Sequence, residues 1–391
     1  MKRHEMRPNE AKPNELIAHI RSKEDEIIDF LREIVEMESP TIDRAAVNKV
    51  SQYVRQKAEG LGAEIEIVPS NREDRGDHLI ASWPGQHNDL DPLLVMAHLD
   101  TVYEVGTLQK MPFKVEGNKI YGPGVFDMKG AVVFLLTAIQ VLQELGKQTN
   151  RPIRCLFNSD EEMNSATSRE VIDREARKAH SVLVLEGGVG DAVLTSRKGI
   201  MYFKIEAIGK SSHAGMDHAQ GINAIEEMAH HILNIQRQTN YDTGTTVSCG
   251  IIQGGTRTNV IPSQATLEVD ARVATQAEAL RLKDRIEALN PVLPGAKLDI
   301  YTLIKRPPLE RTDGVVQLYH KARQFAAELG YDLPEASTGA ISDGNLTAAI
   351  GVPTLDGLGP IGEGAHSSHE HILKDKIAPR LALLVKLLEK L

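Results

Sequence analysis

Cysteine is nearly absent: Cys155 and Cys249 are the only two in 391 residues, far apart and each inside an apolar, strand-like run. That excludes a disulfide scaffold and predicts two reduced, buried thiols. Long apolar runs are missing too. The greasiest segment, Ala131 to Leu145, is short and interrupted by Gln140, Gln143 and Glu144, which argues against a bilayer span. The first fifteen residues, MKRHEMRPNEAKPNE, contain no apolar core of the kind a signal peptide needs. Nor is there a massed basic stretch. Lys and Arg are scattered and the formal net charge is -9, which argues against a nucleic-acid surface. Internal repeats and low-complexity tracts are also lacking. These absences lead to an expectation of a cytoplasmic protein that contacts neither membrane nor nucleic acid. With 41% hydrophobic residues, the chain is long enough to bury a sizeable core in two or three domains.

The segment that organises the chain is DPLLVMAHLD, Asp91 to Asp100. Leu93 to Ala97 reads as a short buried strand. Side chains alternate faces along a strand, so His98 and Asp100 point the same way. An aspartate so placed can accept the second ring N–H of a ligating histidine. Taken alone, the pair fits a metal site and a buried histidine with a chance acidic neighbour equally well. Two further apolar strands end in carboxylates. Ile153 to Phe157 runs into NSDEEMNS with Glu161 and Glu162, and SVLVLEGG from Ser181 carries Glu186 at its tip. In alternating α/β chains, sites gather at the carboxyl ends of strands. Asp127 stands where the glycine-rich GPGVFDMKG meets a helix spanning Met128 to Leu145; it serves as an N-cap, a ligand, or both.

The remaining pattern is α/β with an interruption. Glu15 to Glu38 reads as one or two amphipathic helices, Val47 to Leu61 as another, and AEIEIVPS from Ala63 as an edge strand, followed by a charged loop from Ser70 to His78. A Gly117-Asn118 turn joins PFKVE to KIYG. Between Thr195 and Pro307 the order is strand, helix, strand, strand, helix, strand, a βαββαβ unit of the ferredoxin-like kind. Its first helix sets Ile222, Ile225, Met228, Ala229, Ile232 and Leu233 on one stripe. A helix over Val315 to Leu329 and a strand near Pro353 to Asp356 return to the α/β style. The expected organisation is therefore one discontinuous α/β domain, residues 1–194 and 308–391, interrupted by a smaller one at 195–307.

With AHLDTV, GPGVFDMKG, SDEE, VLEGG, SSHAG, TNVIP and GEGAHSSHE in this order, the chain resembles the dinuclear zinc aminoacylase and carboxypeptidase family, most closely its glutamate carboxypeptidase branch. The resemblance covers nearly the full length. It implies a zinc-exopeptidase-like catalytic domain whose inserted domain serves for dimerisation and as a lid, and two zinc ions per subunit, with cobalt or manganese able to substitute. It assigns His98, Asp127 and Glu186 to one metal and His366, Asp127 and Glu162 to the other, with Asp127 bridging and followed by a cis peptide bond. Asp100 supports His98 from behind, and Glu161 is the general base. The inventory is chemically coherent: one histidine and one terminal carboxylate per metal, plus a shared carboxylate, suits two zinc ions roughly 3.5–4 Å apart with a bridging water. Such a water is acidified, so a nearby carboxylate can take its proton near neutral pH. In the last loop the family pattern puts the ligand directly after the Gly-Ala pair, which selects His366 and leaves His369 and His371 at the surface.

In the family, the histidine of SHAG, here His213, stabilises the oxyanion across a homodimer interface, while residues matching Asn259 and Arg272 hold the substrate. A guanidinium suits a terminal carboxylate because it can grip both oxygens; Arg272 is equally placed to pair with Asp270. The loop that brings backbone N–H groups to the substrate reads Thr338, Gly339, Ala340, Ile341, Ser342, Asp343, and its Ala340 and Ile341 depart from the glycine run of the closest relatives. Gly339 is the expected contact. The implied activity is hydrolysis of a C-terminal peptide or amide bond in a small peptide. The competing readings are an N-acyl-amino-acid amidohydrolase, such as an aminoacylase or deacetylase, and a catalytically silent homologue that only binds ligand.

Overall fold

The computed structural model describes residues 14–391, so residues 1–13 of the polar opening segment lie outside it. A six-stranded sheet forms the centre, in spatial order Glu64–Val68, His78–Trp83, Ile153–Asn158, Leu93–His98, Ser181–Val184 and Thr354–Leu355. The last four run parallel to one another; the first two are antiparallel additions at one edge. Strands covered on both faces need apolar residues at every position, and all six residues of Leu93–His98 are buried. This is why the run LLVMA shows no alternation.

Helices Gly130–Glu144 and Lys374–Lys390 pack together in the main core with Leu31, Val95, Phe157 and Leu355. A five-residue π-turn, Val125–Lys129, extends the first of them backwards, giving an apolar stretch from Val125 to Glu144. At 20 residues this stretch is long and apolar enough to cross a membrane, longer than the Ala131 to Leu145 run that the sequence suggests. It is a core helix, with 83% of its most apolar window buried inside the fold.

Several elements differ from the sequence reading. The strand His78–Trp83 was not anticipated, and the end of the expected charged loop is buried at Arg75 and His78. His78 spends its ring nitrogens on the hydroxyls of Ser159 and Thr167, so a polar residue opens a core strand. Helices Arg169–Ala176 and Lys374–Lys390 and the two-stranded parallel sheet of Val193–Arg197 with Glu335–Thr338 were also missed. Cys155 is a buried free thiol as expected, while Cys249 is only partly covered.

Residues 199–306 form a separate antiparallel sheet, ordered Thr246–Gly254, Gln264–Val273, Gly199–Ile208 and Lys297–Arg306, with helices Ala224–Gln236 and Gln276–Glu287. The chain order is the expected βαββαβ. Met201, Phe203, Ile205, Met228, Leu267 and Leu282 give this sheet a core of its own. The apolar stripe on the first helix needs correction. Ala224, Met228 and Ile235 face inward, whereas Ile225 and Leu233 are 43% and 60% exposed. The inner face also carries two polar residues. Glu227 is fully buried and accepts the backbone N–H groups of Val292 (2.8 Å) and Leu293 (2.7 Å), and it lies 2.7 Å from His231 Nε2. The carboxylate thus ties the helix to the loop before the last strand. Glu227→Ala strands a buried imidazole and two partly buried N–H donors, and should cost on the order of 2 kcal/mol, read as a lowered denaturation midpoint.

Candidate metal centre

The parallel strands deliver their side chains to one end of the main sheet. His98 is the last residue of its strand. Glu161 and Glu162 open a 3₁₀ turn just past Ile153–Asn158, and Glu186 lies two residues beyond Ser181–Val184. Glycine behind Glu186 has a steric reason: a Cβ at Gly187 would sit 2.0 Å from the Phe126 ring. Asp127 sits in the π-turn with non-helical dihedrals and caps nothing, and its bond to Met128 is cis. His366 enters from the last loop in a left-handed backbone conformation, φ 61°.

Asp127 turns its two oxygens to two different histidines. Oδ1 lies 3.1 Å from His98 Nε2, and Oδ2 lies 3.2 Å from His366 Nε2. Glu186 Oε1 is 3.7 Å from His98 Nε2, and Glu162 Oε2 is 3.2 Å from His366 Nε2. His98, Glu161 and Glu186 converge within 4.8 Å, and so do His98, Asp127 and Glu162. All five expected ligands and the expected base are therefore gathered at one place.

The surroundings orient these groups. His98 Nδ1 donates to the Asp100 backbone carbonyl at 2.9 Å; a carbonyl can only accept, so in the neutral ring Nε2 keeps its lone pair for the centre. The Asp100 carboxylate is farther from that nitrogen, at 3.4 Å. It accepts instead from the backbone N–H groups of Glu161 and Glu162, both at 3.2 Å, and from Thr41 Oγ1 at 2.7 Å. Asp100 thus fixes the paired glutamates as well as the histidine. Glu370, which the sequence reading passed over, is fully buried and accepts from the backbone N–H groups of Gly124, Phe126 and Asp127 and from the Tyr103 hydroxyl. It holds the turn that carries Asp127. Its place four residues after His366 was the available signal.

A cleft of about 530 Å³ opens beside the centre, lined by Phe126, Val189, Leu194, Ile200, Ile341 and Arg272 among others. Arg272 pairs with Asp270 through Nε (2.9 Å) and Nη2 (3.2 Å), and Nη1 reaches the Gly339 carbonyl at 3.4 Å. The pairing with Asp270 is thus present, and the side chain also lines the cleft. Thr338, Ala340 and Ile341 line the cleft but Gly339 does not. His213 and Asn259 lie outside it, both exposed on the 199–306 unit, where His213 bridges Val260 and Ala214 N donates to the Asn259 carbonyl. His371, expected at the surface, is buried with Nδ1 on the His369 carbonyl; His369 is exposed as expected.

Crowding of anions dominates the electrostatics. Burial and the neighbouring Asp127 push Glu186 well above the carboxylate range. Burial and Asp343 raise Glu161 to about 8 against the pull of Arg306, and burial raises Glu162. Hydrogen bonds to Asp127 and Glu162 carry His366 to about 10. Burial opposes a charge on His98, yet its bonds to Asp100 and Asp127 lift it well above the imidazole range. Apart from the nearby Arg306 and Arg197 guanidinium groups, protons balance the cluster, and Glu162 Oε1 is buried without a hydrogen-bond partner. This donor set of imidazole nitrogens and carboxylate oxygens fits zinc or a similar divalent cation.

Fold and centre together define a metallohydrolase of the α/β class. The chain belongs to peptidase family M20/M25/M40, whose profile matches residues 94–390. It is 32% identical over 359 residues to carboxypeptidase G2 of Pseudomonas sp. (strain RS-16), covering 90% of this chain and 86% of that one. It is 27% identical over 375 residues to a succinyl-diaminopimelate desuccinylase of Alkalilimnicola ehrlichii, covering 88% and 94%. The fold is shared with aminopeptidase PepT of Bacillus cereus, with TM-score 0.79, 22% identity, and coverage of 94% and 98%.

Proton linkage makes the centre testable. Glu161 and His366 have folded-state pKa values of about 8 and about 10, above their ordinary 4.5 and 6.5. Groups raised in this way stabilise the fold at pH below their unfolded values and lose that contribution as pH climbs through the folded values. The metal-free protein should therefore lose stability between about pH 5 and about pH 10, while added zinc replaces the protons. The zinc-induced rise in denaturation midpoint should be larger at about pH 9 than at about pH 6; calorimetry with and without chelator checks this.

Proposed function

We propose that the chain hydrolyses a C-terminal peptide or amide bond at a two-zinc centre, with Glu161 as general base. The observation that carries this reading is Asp127, which presents one oxygen to each of two histidines beside Glu162, whose Oε1 is buried without a partner. Bound zinc would supply Lewis acidity to the scissile carbonyl and acidify the attacking water. His98, Asp127 and Glu186 would hold one ion, and His366, Asp127 and Glu162 the other. Glu161 takes the proton of the water and returns it to the leaving amine. Asp100 keeps Glu161 and Glu162 in register through their backbone N–H groups. Arg272 receives the terminal carboxylate of the substrate at the cleft wall, beside the Gly339 segment.

Residues 1–194 and 308–391 act in this reading as the catalytic domain, and 195–307 as a dimerisation and lid domain. The edge strand Thr246–Gly254 leaves Ile251 and Ile252 about half exposed, and the adjacent helix exposes Ile225 and Leu233, so this face is apolar and unpaired. In the proposed dimer His213 and Asn259, exposed and outside their own cleft, serve the partner's. The free thiols of Cys155 and Cys249 accord with a cytoplasmic location.

Likeness to carboxypeptidase G2 supports cleavage at a C-terminal residue, and likeness to the desuccinylase supports the second reading, an N-acyl-amino-acid amidohydrolase. Both use the same chemistry. A homologue that only binds has no need of Glu161, and its retention speaks against that alternative. Glu161→Gln should keep two zinc ions per chain and lose about 100-fold or more in kcat. Assayed on acyl-glutamates, acyl-ornithine and neutral dipeptides, the parent's fastest substrate decides between peptidase and deacylase. Near-parental turnover by Glu161→Gln on every substrate would end the mechanism. For the dimer, mixing Glu161→Gln with His213→Ala protomers should restore activity that neither homodimer has; silent, verified heterodimers would take His213 out of the partner's site.

A further inference from the structure

Arg306 is the last residue of the strand Lys297–Arg306, the strand by which the chain leaves the 199–306 sheet. Pairing with the neighbouring strand slips there, from Ile304 opposite Met201 to Arg306 opposite Ile200, so one extra residue is inserted before it. A bulge of this kind re-aims the side chain that follows it. The Arg306 side chain is 0% exposed and is not part of the cleft lining, so substrate cannot reach it in this arrangement. Its guanidinium meets three segments of the catalytic half. Nη1 donates to Asp343 Oδ1 at 2.7 Å, while Nη2 donates to Ser165 Oγ at 2.7 Å and to Glu161 Oε1 at 3.4 Å.

These partners are themselves interlocked. Ser165 Oγ donates to the same Asp343 oxygen, and Asn158 Nδ2 donates to the other oxygen at 2.7 Å. Asn158 ends the strand from which the Glu161-Glu162 turn departs, and Ser165 closes that turn. Asn164 and Ser165 both have left-handed backbones, φ 65° and 52°, in which residues other than glycine persist only when the surroundings hold them. Asp343 balances the buried charge of Arg306, and the planar fork leaves one nitrogen free to serve Ser165 and Glu161 together. At 3.4 Å the contact with Glu161 is long, so an ångström of movement in the exit strand makes or breaks it.

We propose that Arg306 is a positioning residue: through Ser165, Asp343 and its own Nη2 it sets the orientation of Glu161, and its attachment to the 199–306 sheet makes that orientation depend on where the sheet sits. The inference rests on Glu161 being the base and adds a route by which the lid reports to it. A lysine at this position keeps the charge but lacks the fork that reaches two oxygens at once.

A double-mutant cycle on the zinc-loaded full chain tests this. Arg306→Lys should lower kcat about 10-fold or more with KM within about twofold and two zinc ions retained. In a Glu161→Gln background the same substitution should cost nothing further, because the two residues act as a unit. Should Arg306→Lys not fold, Arg306→Gln, which retains a short planar donor, is read through the same cycle. A raised KM with unchanged kcat would make Arg306 a substrate ligand and overturn the proposal. An equal loss of kcat in both backgrounds would make its role independent of Glu161 and overturn it as well. Full activity of Arg306→Lys beside an inactive Glu161→Gln removes only the Arg306 claim, whereas full activity of Glu161→Gln removes the base on which it rests.

Discussion

Four carboxylates and two imidazoles crowded into a half-buried cleft repel one another unless positive charge sits among them, and this constraint organises the rest of the structure. In the metal-free chain, protons on His98, His366 and the glutamates provide that charge, which is why their pKa values rise. Divalent metal ions can provide it while the carboxylates stay ionised. Asp127 is the pivot, because only a carboxylate can face two cations at once with chemically equal oxygens. Its position requires a backbone that turns sharply, and the turn is held by Glu370 through three backbone N–H groups.

Asp127 and the paired glutamates are backed by buried polar residues that lie outside the cleft lining. Asp100 binds the backbone of Glu161 and Glu162, Glu370 that of Asp127, and the Asp343–Arg306 pair closes the turn behind Glu161. Such buried charges are tolerated because every one is paired or hydrogen-bonded, and breaking one partner leaves the other exposed to the full desolvation cost. The geometry of the site is therefore distributed over residues far apart in sequence. Cleavage chemistry and fold stability meet in the same side chains.

The sequence was most legible where one physical rule acted alone. Leu93 to Ala97 is apolar throughout because both faces of a parallel strand are covered, and His98, Glu161 and Glu186 follow directly from strands of that kind. The βαββαβ order of residues 199–306 showed in its spacing. Reading failed where tertiary partners overrode composition. His78 opens a core strand because two distant hydroxyls satisfy its ring, and Glu227 and His231 lie on the inner face of a helix because each completes the other and a loop 65 residues away. Ile225 and Leu233, read as core, face outward. Arg306 and Glu370 escape a reading of the sequence because their partners lie far from them in the chain.

The central claim is that Asp127 joins two metal ions. Anomalous diffraction from crystals of the full chain grown with zinc measures this directly. Two peaks per chain are expected, one against each oxygen of Asp127, the first shared with His98 and the second with His366. A single peak, or two peaks that leave Asp127 unliganded, would contradict it.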